Sequence, residues 1–163
     1  MESVVHIDEE EKSPVTLPGQ AMVFFMHVAL ALGSWLALML LGYALNPRGV
    51  PQIMILLLSI FVPLVVGHIV TRLRQDELAP LVWLIGLIWI LIVSLWILDM
   101  PTGPNQCFQC DATEKLTRTF FSLPKPSGLI DNDGPFLGTW PAAALIGYAI
   151  GARLALHRQP PAD

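Results

Sequence analysis

Apolar residues are concentrated in four blocks along the chain, and none of these blocks contains Asp, Glu, Lys or Arg. The blocks cover residues 21–45, 52–71, 79–98 and 135–152. A helix needs about 20 mainly apolar residues to cross a hydrocarbon core of about 30 Å, and each block is about that long. The pattern therefore predicts four transmembrane spans that follow the blocks, with the second extended to 52–72 and the fourth to 135–156.

The polar segments between the blocks indicate how the spans are connected. A turn-rich segment of Asn, Pro, Arg and Gly over 46–51 joins the first two spans, and a link of similar length joins the second to the third. Short links require antiparallel neighbours. We therefore expect an all-α membrane protein with four helices in an up-down bundle over 21–156. A mobile acidic tail precedes it over 1–20, and a C-terminal tail follows over 157–163.

The loop 99–134 is the one long connection, and its sequence predicts a short helix. Asp111 is followed three residues later by Glu114, which is a variant of the capping box that starts helices. The helix predicted over 112–122 is amphipathic, and we expect it to lie on the outer membrane surface or to cap the bundle. Its apolar face carries Leu116, Phe120 and Leu123, and its polar face pairs Glu114 with Arg118.

Charge is scarce, and its placement predicts an orientation. Only 13% of the residues are charged, against about 25% in an average soluble domain. The net charge of −4 and the acidic run over 8–11 exclude a basic surface for nucleic acid. Five basic residues lie on the side of both termini against four on the other side. We expect an integral protein of a bacterial inner membrane, with both termini cytoplasmic and the loop 99–134 outside.

Two histidines are the main polar groups predicted to lie at depth in the membrane. His27 and His68 each lie six residues from the middle of their span, so an antiparallel hairpin places them in the same leaflet. Two imidazoles at one depth could provide both axial ligands of a haem b or could bind a quinone head group, with Arg72 on a propionate. The alternative is that each histidine bonds a backbone carbonyl or reaches the headgroup layer.

The two cysteines, Cys107 and Cys110, lie in the predicted outer loop. A structural disulfide that tightens this loop suits an oxidising compartment. The same spacing is found in thiol–disulfide exchange proteins, in which one thiolate attacks and the other resolves the mixed disulfide. Membrane oxidases of that kind use a second cysteine pair, and this sequence contains only two cysteines.

Small residues recur every fourth position in two of the spans, which lets helix backbones approach closely. Such a face can pack within the bundle of this chain or against a neighbouring subunit. The fourth span carries Ala143, Gly147, Gly151 and Ala155, and the first span carries Ala29, Gly33 and Ala37.

These features favour a binding role over catalysis, because the spans contain no carboxylate pair and no nucleophile beside a base. We expect an accessory subunit of a multisubunit energy-transducing membrane complex, respiratory or photosynthetic. It would contact the lipid bilayer, and it would bind other membrane subunits through spans one and four and the loop 99–134. One alternative is an electron-transfer subunit that binds haem b or quinone at His27 and His68. Another is a thiol–disulfide exchanger that uses Cys107 and Cys110.

Overall fold

The computed structural model describes residues 17–45, 51–99, 111–121 and 138–157, and these ranges are helical apart from short turns. No strand occurs within them. The helices are α1 (Leu17–Leu45), α2 (Gln52–Leu73), a 3-10 turn (Ala79–Val82) that leads into α3 (Trp83–Asp99), α4 (Ala112–Phe121) and α5 (Thr139–His157).

Three stretches of the described residues are long and apolar enough to cross a membrane, namely Gly19–Ala44, Ile53–Leu73 and Ala79–Asp99. The sides of these helices that face away from the other helices expose many large aliphatic side chains. Such a surface is unfavourable in water and favourable in contact with lipid. The chain is therefore a helical membrane protein. The fourth predicted span coincides over most of its length with α5, and the count of four spans in an up-down bundle stays a prediction.

The first helix begins earlier than the sequence indicates. α1 starts at Leu17, whereas the apolar block starts at residue 21 and the tail was expected to reach residue 20. The second residue of the helix is Pro18, and a proline is tolerated there because the first-turn N–H groups have no partner within the helix. Helical backbone geometry therefore extends ahead of the apolar pattern.

The core of the described structure is formed around α5, which packs most extensively against α2. Gly147 packs directly against the carbonyl oxygen of Ile60, and Gly151 packs directly against that of Leu64. A Cβ atom on either glycine would overlap these oxygens. The contacts advance by four residues on both helices, so α2 and α5 run in the same direction where they cross.

The amphipathic helix predicted in the loop is present as α4 and packs against α3 and α5. Its first turn is capped by Asp111, whose Oδ1 accepts a hydrogen bond of 2.7 Å from the N–H of Glu114. The hydroxyl of Thr139 on α5 donates to the carbonyl oxygen of Phe120 at 2.6 Å, and the Nζ of Lys115 lies 3.4 Å from the carbonyl oxygen of Leu98. α4 thus covers one end of α3 and α5. Residue 122 and Leu123 lie outside the described residues.

Candidate functional site

The most polar site inside the helices is centred on His27, whose side chain is completely buried on α1. Its Nδ1 lies 2.7 Å from the hydroxyl oxygen of Tyr148 on α5. Its Nε2 lies 3.1 Å from the Oδ2 of Asp76, in the link between α2 and the 3-10 turn. One imidazole therefore joins three separate parts of the chain. We call His27, Tyr148 and Asp76 the histidine network.

The directions of these two hydrogen bonds follow from the chemistry of the groups. An ionised carboxylate can only accept, so the Nε2–H of His27 donates to Asp76. The Nδ1 of a neutral ring then carries a lone pair and accepts from the hydroxyl of Tyr148. Both ring nitrogens of His27 and the hydroxyl hydrogen of Tyr148 then have a hydrogen-bond partner, as buried polar groups require.

The burial of the histidine network decides what it can do chemically. The hydrogen bonds connect a hydroxyl to an imidazole and the imidazole to a carboxylate, which is the order of groups in a nucleophilic triad. However, Tyr148 has an exposed fraction of 0%, and so does His27. No substrate reaches the phenol oxygen from outside, and the only partly exposed member is Asp76, at 27% of its side chain. The arrangement therefore suits the joining of helices, because polar side chains hold transmembrane helices together by hydrogen bonds of this kind.

The histidine network also sets the rotation of α1 about its own axis. His27, Ala31 and Trp35 are spaced by four residues, and all three are buried on the side of α1 that faces the other helices. A displacement of two residues rotates the position by about 200° around a helix. The small-residue series Ala29, Gly33 and Ala37 is offset by two residues from these buried positions. It therefore points away from the other helices.

His68 takes part in a different interaction from His27. Its Nδ1 lies 3.3 Å from the carbonyl oxygen of Gly151, so this ring bonds to the backbone of α5. Arg72 lies one turn beyond His68 on α2 and is exposed. A haem would need a free ring nitrogen on each histidine, and both nitrogens of His27 are already bonded to Tyr148 and Asp76. The haem or quinone hypothesis stays a prediction from the sequence.

The two small-residue faces differ in their surroundings. On α5, Gly147 and Gly151 lie against α2, and Ala155 is buried within the chain. Most of this face is therefore occupied by α2, while Ala143, at one end of the series, is half-buried. The docking of a partner at span four stays a prediction. On α1, by contrast, Ala29, Gly33 and Ala37 are exposed, and no atom comes within 4 Å of a Cβ built on Gly33.

The cysteine pair is the remaining predicted site, and the structure does not describe it. Cys107 and Cys110 lie outside the described residues, so their disulfide stays a prediction. Within 17–45, 51–99, 111–121 and 138–157, no three His, Cys, Asp or Glu side chains come together as a metal site would require.

Two members of the histidine network were missed by sequence reasoning. Tyr148 carries the only phenol of the fourth apolar block, and Asp76 is an acid in a short link that follows a span. These features could have marked Tyr148 as a polar group within a span and Asp76 as one at the end of a span. Their pairing with His27 is not visible in the sequence, because 121 and 49 residues separate them.

Comparisons of the chain with protein-family models, with curated proteins and with solved structures found no match. The class that the described residues define is a helical membrane protein with a buried histidine network and one uncovered small-residue helix face.

Proposed function

We propose that this chain is a non-catalytic subunit of a membrane complex and that α1 binds a transmembrane helix of another protein. The binding surface is the α1 small face, which consists of Ala29, Gly33 and Ala37. The complex is expected to be energy-transducing, as the sequence predicts. The role of the chain in it is to hold a partner helix, with the histidine network keeping α1 in the rotation that exposes this face.

The observation that carries the proposal is the contrast between the two small-residue series of the same chain. On α5, glycines at this spacing allow the backbone of α2 to approach so closely that a methyl group would not fit. On α1, the equivalent glycine has open space around it. Helices in lipid associate by close backbone packing, because burial of apolar surface gives no gain against lipid tails. A groove of small residues that faces outward is therefore suited to a second helix.

Charge favours a different protein over a second copy of this chain. Residues 1–16, which directly precede α1, contain five acidic side chains and one lysine. Two copies packed in parallel through the α1 small face would bring their acidic segments together at one membrane surface, where like charges repel. A partner with basic residues beside its transmembrane helix would instead be attracted to this segment. We therefore assign the face to a heterologous helix with a basic flank.

The test is the migration of the protein on native gels after extraction from its own host membranes in mild detergent. Gly33→Leu fills the centre of the α1 small face, and nothing within the chain obstructs the new side chain. Gly42→Leu is the matched control, since a Cβ on the half-buried Gly42 also meets no atom within 4 Å and Gly42 lies outside the α1 small face, about half a turn around α1 from Gly33. We expect the wild type and Gly42→Leu to migrate in a larger assembly and Gly33→Leu to migrate alone.

A photo-crosslinking amino acid at position 37 identifies the contact directly. The wild-type background should give one crosslinked product with a different protein, and Gly33→Leu should abolish it while circular dichroism stays unchanged. A wild-type protein that migrates alone, a crosslink only to a second copy, or a Gly33→Leu variant that assembles normally would each contradict the proposal.

A further inference from the structure

A groove runs between the beginning of α3 and the second half of α5. Its volume is about 740 Å³, and its walls are mainly apolar. One wall is formed by Pro80, Leu81 and Trp83, which belong to a stretch long and apolar enough to cross a membrane. The other wall is formed by α5 from Ile146 to His157. The groove therefore lies on the side of the bundle that faces lipid, and it includes the end of α5.

One end of the groove carries two ionisable side chains. Arg153 and His157 are one helical turn apart on α5, both line the groove, and both are exposed. Among the described residues, Arg153 takes part in no salt bridge and no hydrogen bond with the protein. Its guanidinium provides five N–H donors in a planar arrangement that matches phosphate oxygens. Within the part of the chain that the structure describes, this charged group at the end of an apolar groove has no counter-charge.

We propose that this groove binds one anionic phospholipid, with its phosphate at Arg153 and His157 and an acyl chain along α5. The twelve residues from Ile146 to His157 span about 16 Å of helix, which is about half the thickness of a hydrocarbon core. The groove is therefore one leaflet deep. Trp83 lines the same groove at the end of its apolar stretch, at the level where tryptophan side chains meet lipid headgroups.

The shape and charge of the groove favour a phospholipid over a soluble anion. A phosphate ion would bind only at the end of the groove that carries Arg153 and His157, and it would leave the apolar walls between Ile146 and Leu81 uncovered. An acyl chain covers these walls, and the anionic headgroup supplies the missing counter-charge at the same end. A neutral-headgroup lipid covers the walls but does not neutralise Arg153. Basic groups beside a membrane bind anionic lipids with about 1 kcal/mol for each charge, which corresponds to about fivefold in affinity.

The test is native mass spectrometry of the full chain in detergent, titrated with phosphatidylglycerol or with phosphatidylcholine. We expect one tightly bound phosphatidylglycerol and at least fivefold weaker binding of phosphatidylcholine. Arg153→Gln should weaken phosphatidylglycerol about fivefold. The matched control is Arg72→Gln, because Arg72 is an exposed arginine at the end of α2 that does not line this groove.

A second variant separates insertion of the acyl chain from simple attraction of charge. Leu81→Trp enlarges an exposed side chain on the groove wall and leaves every charge in place. It should weaken phosphatidylglycerol binding, whereas glycerol phosphate without acyl chains should not compete for the site. Equal binding of the two lipids, an equal loss in Arg72→Gln, or an unchanged affinity in Leu81→Trp would each overturn the proposal. These outcomes do not depend on whether α1 binds a partner helix.

Discussion

The Nδ1 atom of His27 lies 2.7 Å from the hydroxyl oxygen of Tyr148, although the two residues are 121 positions apart in the sequence. The centroids of their rings lie 5.8 Å apart with the ring planes tilted by 56°, so the contact is both polar and aromatic. The bond ties α1 to α5 in a region where neither helix offers many other polar groups. Because His27 also binds Asp76, the same imidazole holds the link between α2 and α3.

The histidine network should contribute to the stability of the helix packing. Tyr148→Phe removes one hydroxyl and leaves the Nδ1 of His27 buried without a donor. We expect the free energy of unfolding to fall by about 1–2 kcal/mol, since interhelical hydrogen bonds in membranes contribute about 0.6–1.7 kcal/mol and an unsatisfied buried group costs about 1–3 kcal/mol. Unfolding by sodium dodecyl sulfate in mixed micelles measures the change.

The chain contains a natural control for this experiment. Its other tyrosine, Tyr43, lies on α1 and is 76% exposed. Tyr43→Phe should change the free energy of unfolding by less than about 0.5 kcal/mol, as surface substitutions usually do. If the two variants lose the same stability, the bond between His27 and Tyr148 does not stabilise the packing.

The glycines of α5 should be far less tolerant of a methyl group than the glycine of the α1 small face. Gly151→Ala places a Cβ onto the carbonyl oxygen of Leu64 and forces α2 and α5 apart. We expect a loss of about 1–3 kcal/mol, which is typical of overpacking in a core. Gly33→Ala meets no atom within 4 Å and should leave the monomer equally stable or raise its stability by up to about 1 kcal/mol through helix propensity.

Thermal unfolding of both variants in the same detergent gives this comparison directly. The monomeric protein must be used, because Gly33→Ala also alters the α1 small face. An equal loss of stability at both glycines would show that α2 and α5 are not in close backbone contact.

The hydrogen bond between α4 and α5 should restrain α4. Thr139→Val keeps the shape of the side chain and removes the hydroxyl that donates to Phe120. A loss of about 1 kcal/mol should make the amides of α4 exchange about fivefold faster, because local opening is governed by such contacts. Hydrogen–deuterium exchange with mass spectrometry measures the rate.

Thr117→Val is the matched control, since Thr117 lies on the exposed side of α4 itself. It should leave the exchange rate of α4 within the error of the measurement. Faster exchange in both variants, or in neither, would mean that the bond between Thr139 and Phe120 does not hold α4 in place.

Much of the secondary structure was predictable, because it depends on local patterns. The apolar blocks predicted α2, and the 3-10 turn together with α3, to within a residue or two, and the Asp111 cap predicted the start of α4. The beginning of α1 was missed by four residues. Hydrophobicity identifies where a helix enters lipid, whereas the helix can continue into a polar segment without any change in apolar pattern.

The site was predictable only in part. His27 stood out as an ionisable residue in an apolar block, and the small-residue series stood out by their spacing. The sequence did not indicate that His27 bonds to Tyr148 and Asp76, or that His68 bonds to the backbone at Gly151. Depth along a helix can be counted in residues, but the direction in which a side chain points depends on the helices beside it.

The sequence by itself determined that this chain belongs in a membrane, because charge is absent from its apolar blocks and hydrophobicity is a property of composition. It also determined which helix faces carry side chains small enough for close packing of the backbones. Only the tertiary structure decided that the α5 face is filled by α2 while the α1 small face is left open. The physical reason is that both faces have the same local chemistry, so their difference lies in which helix occupies the space beside each.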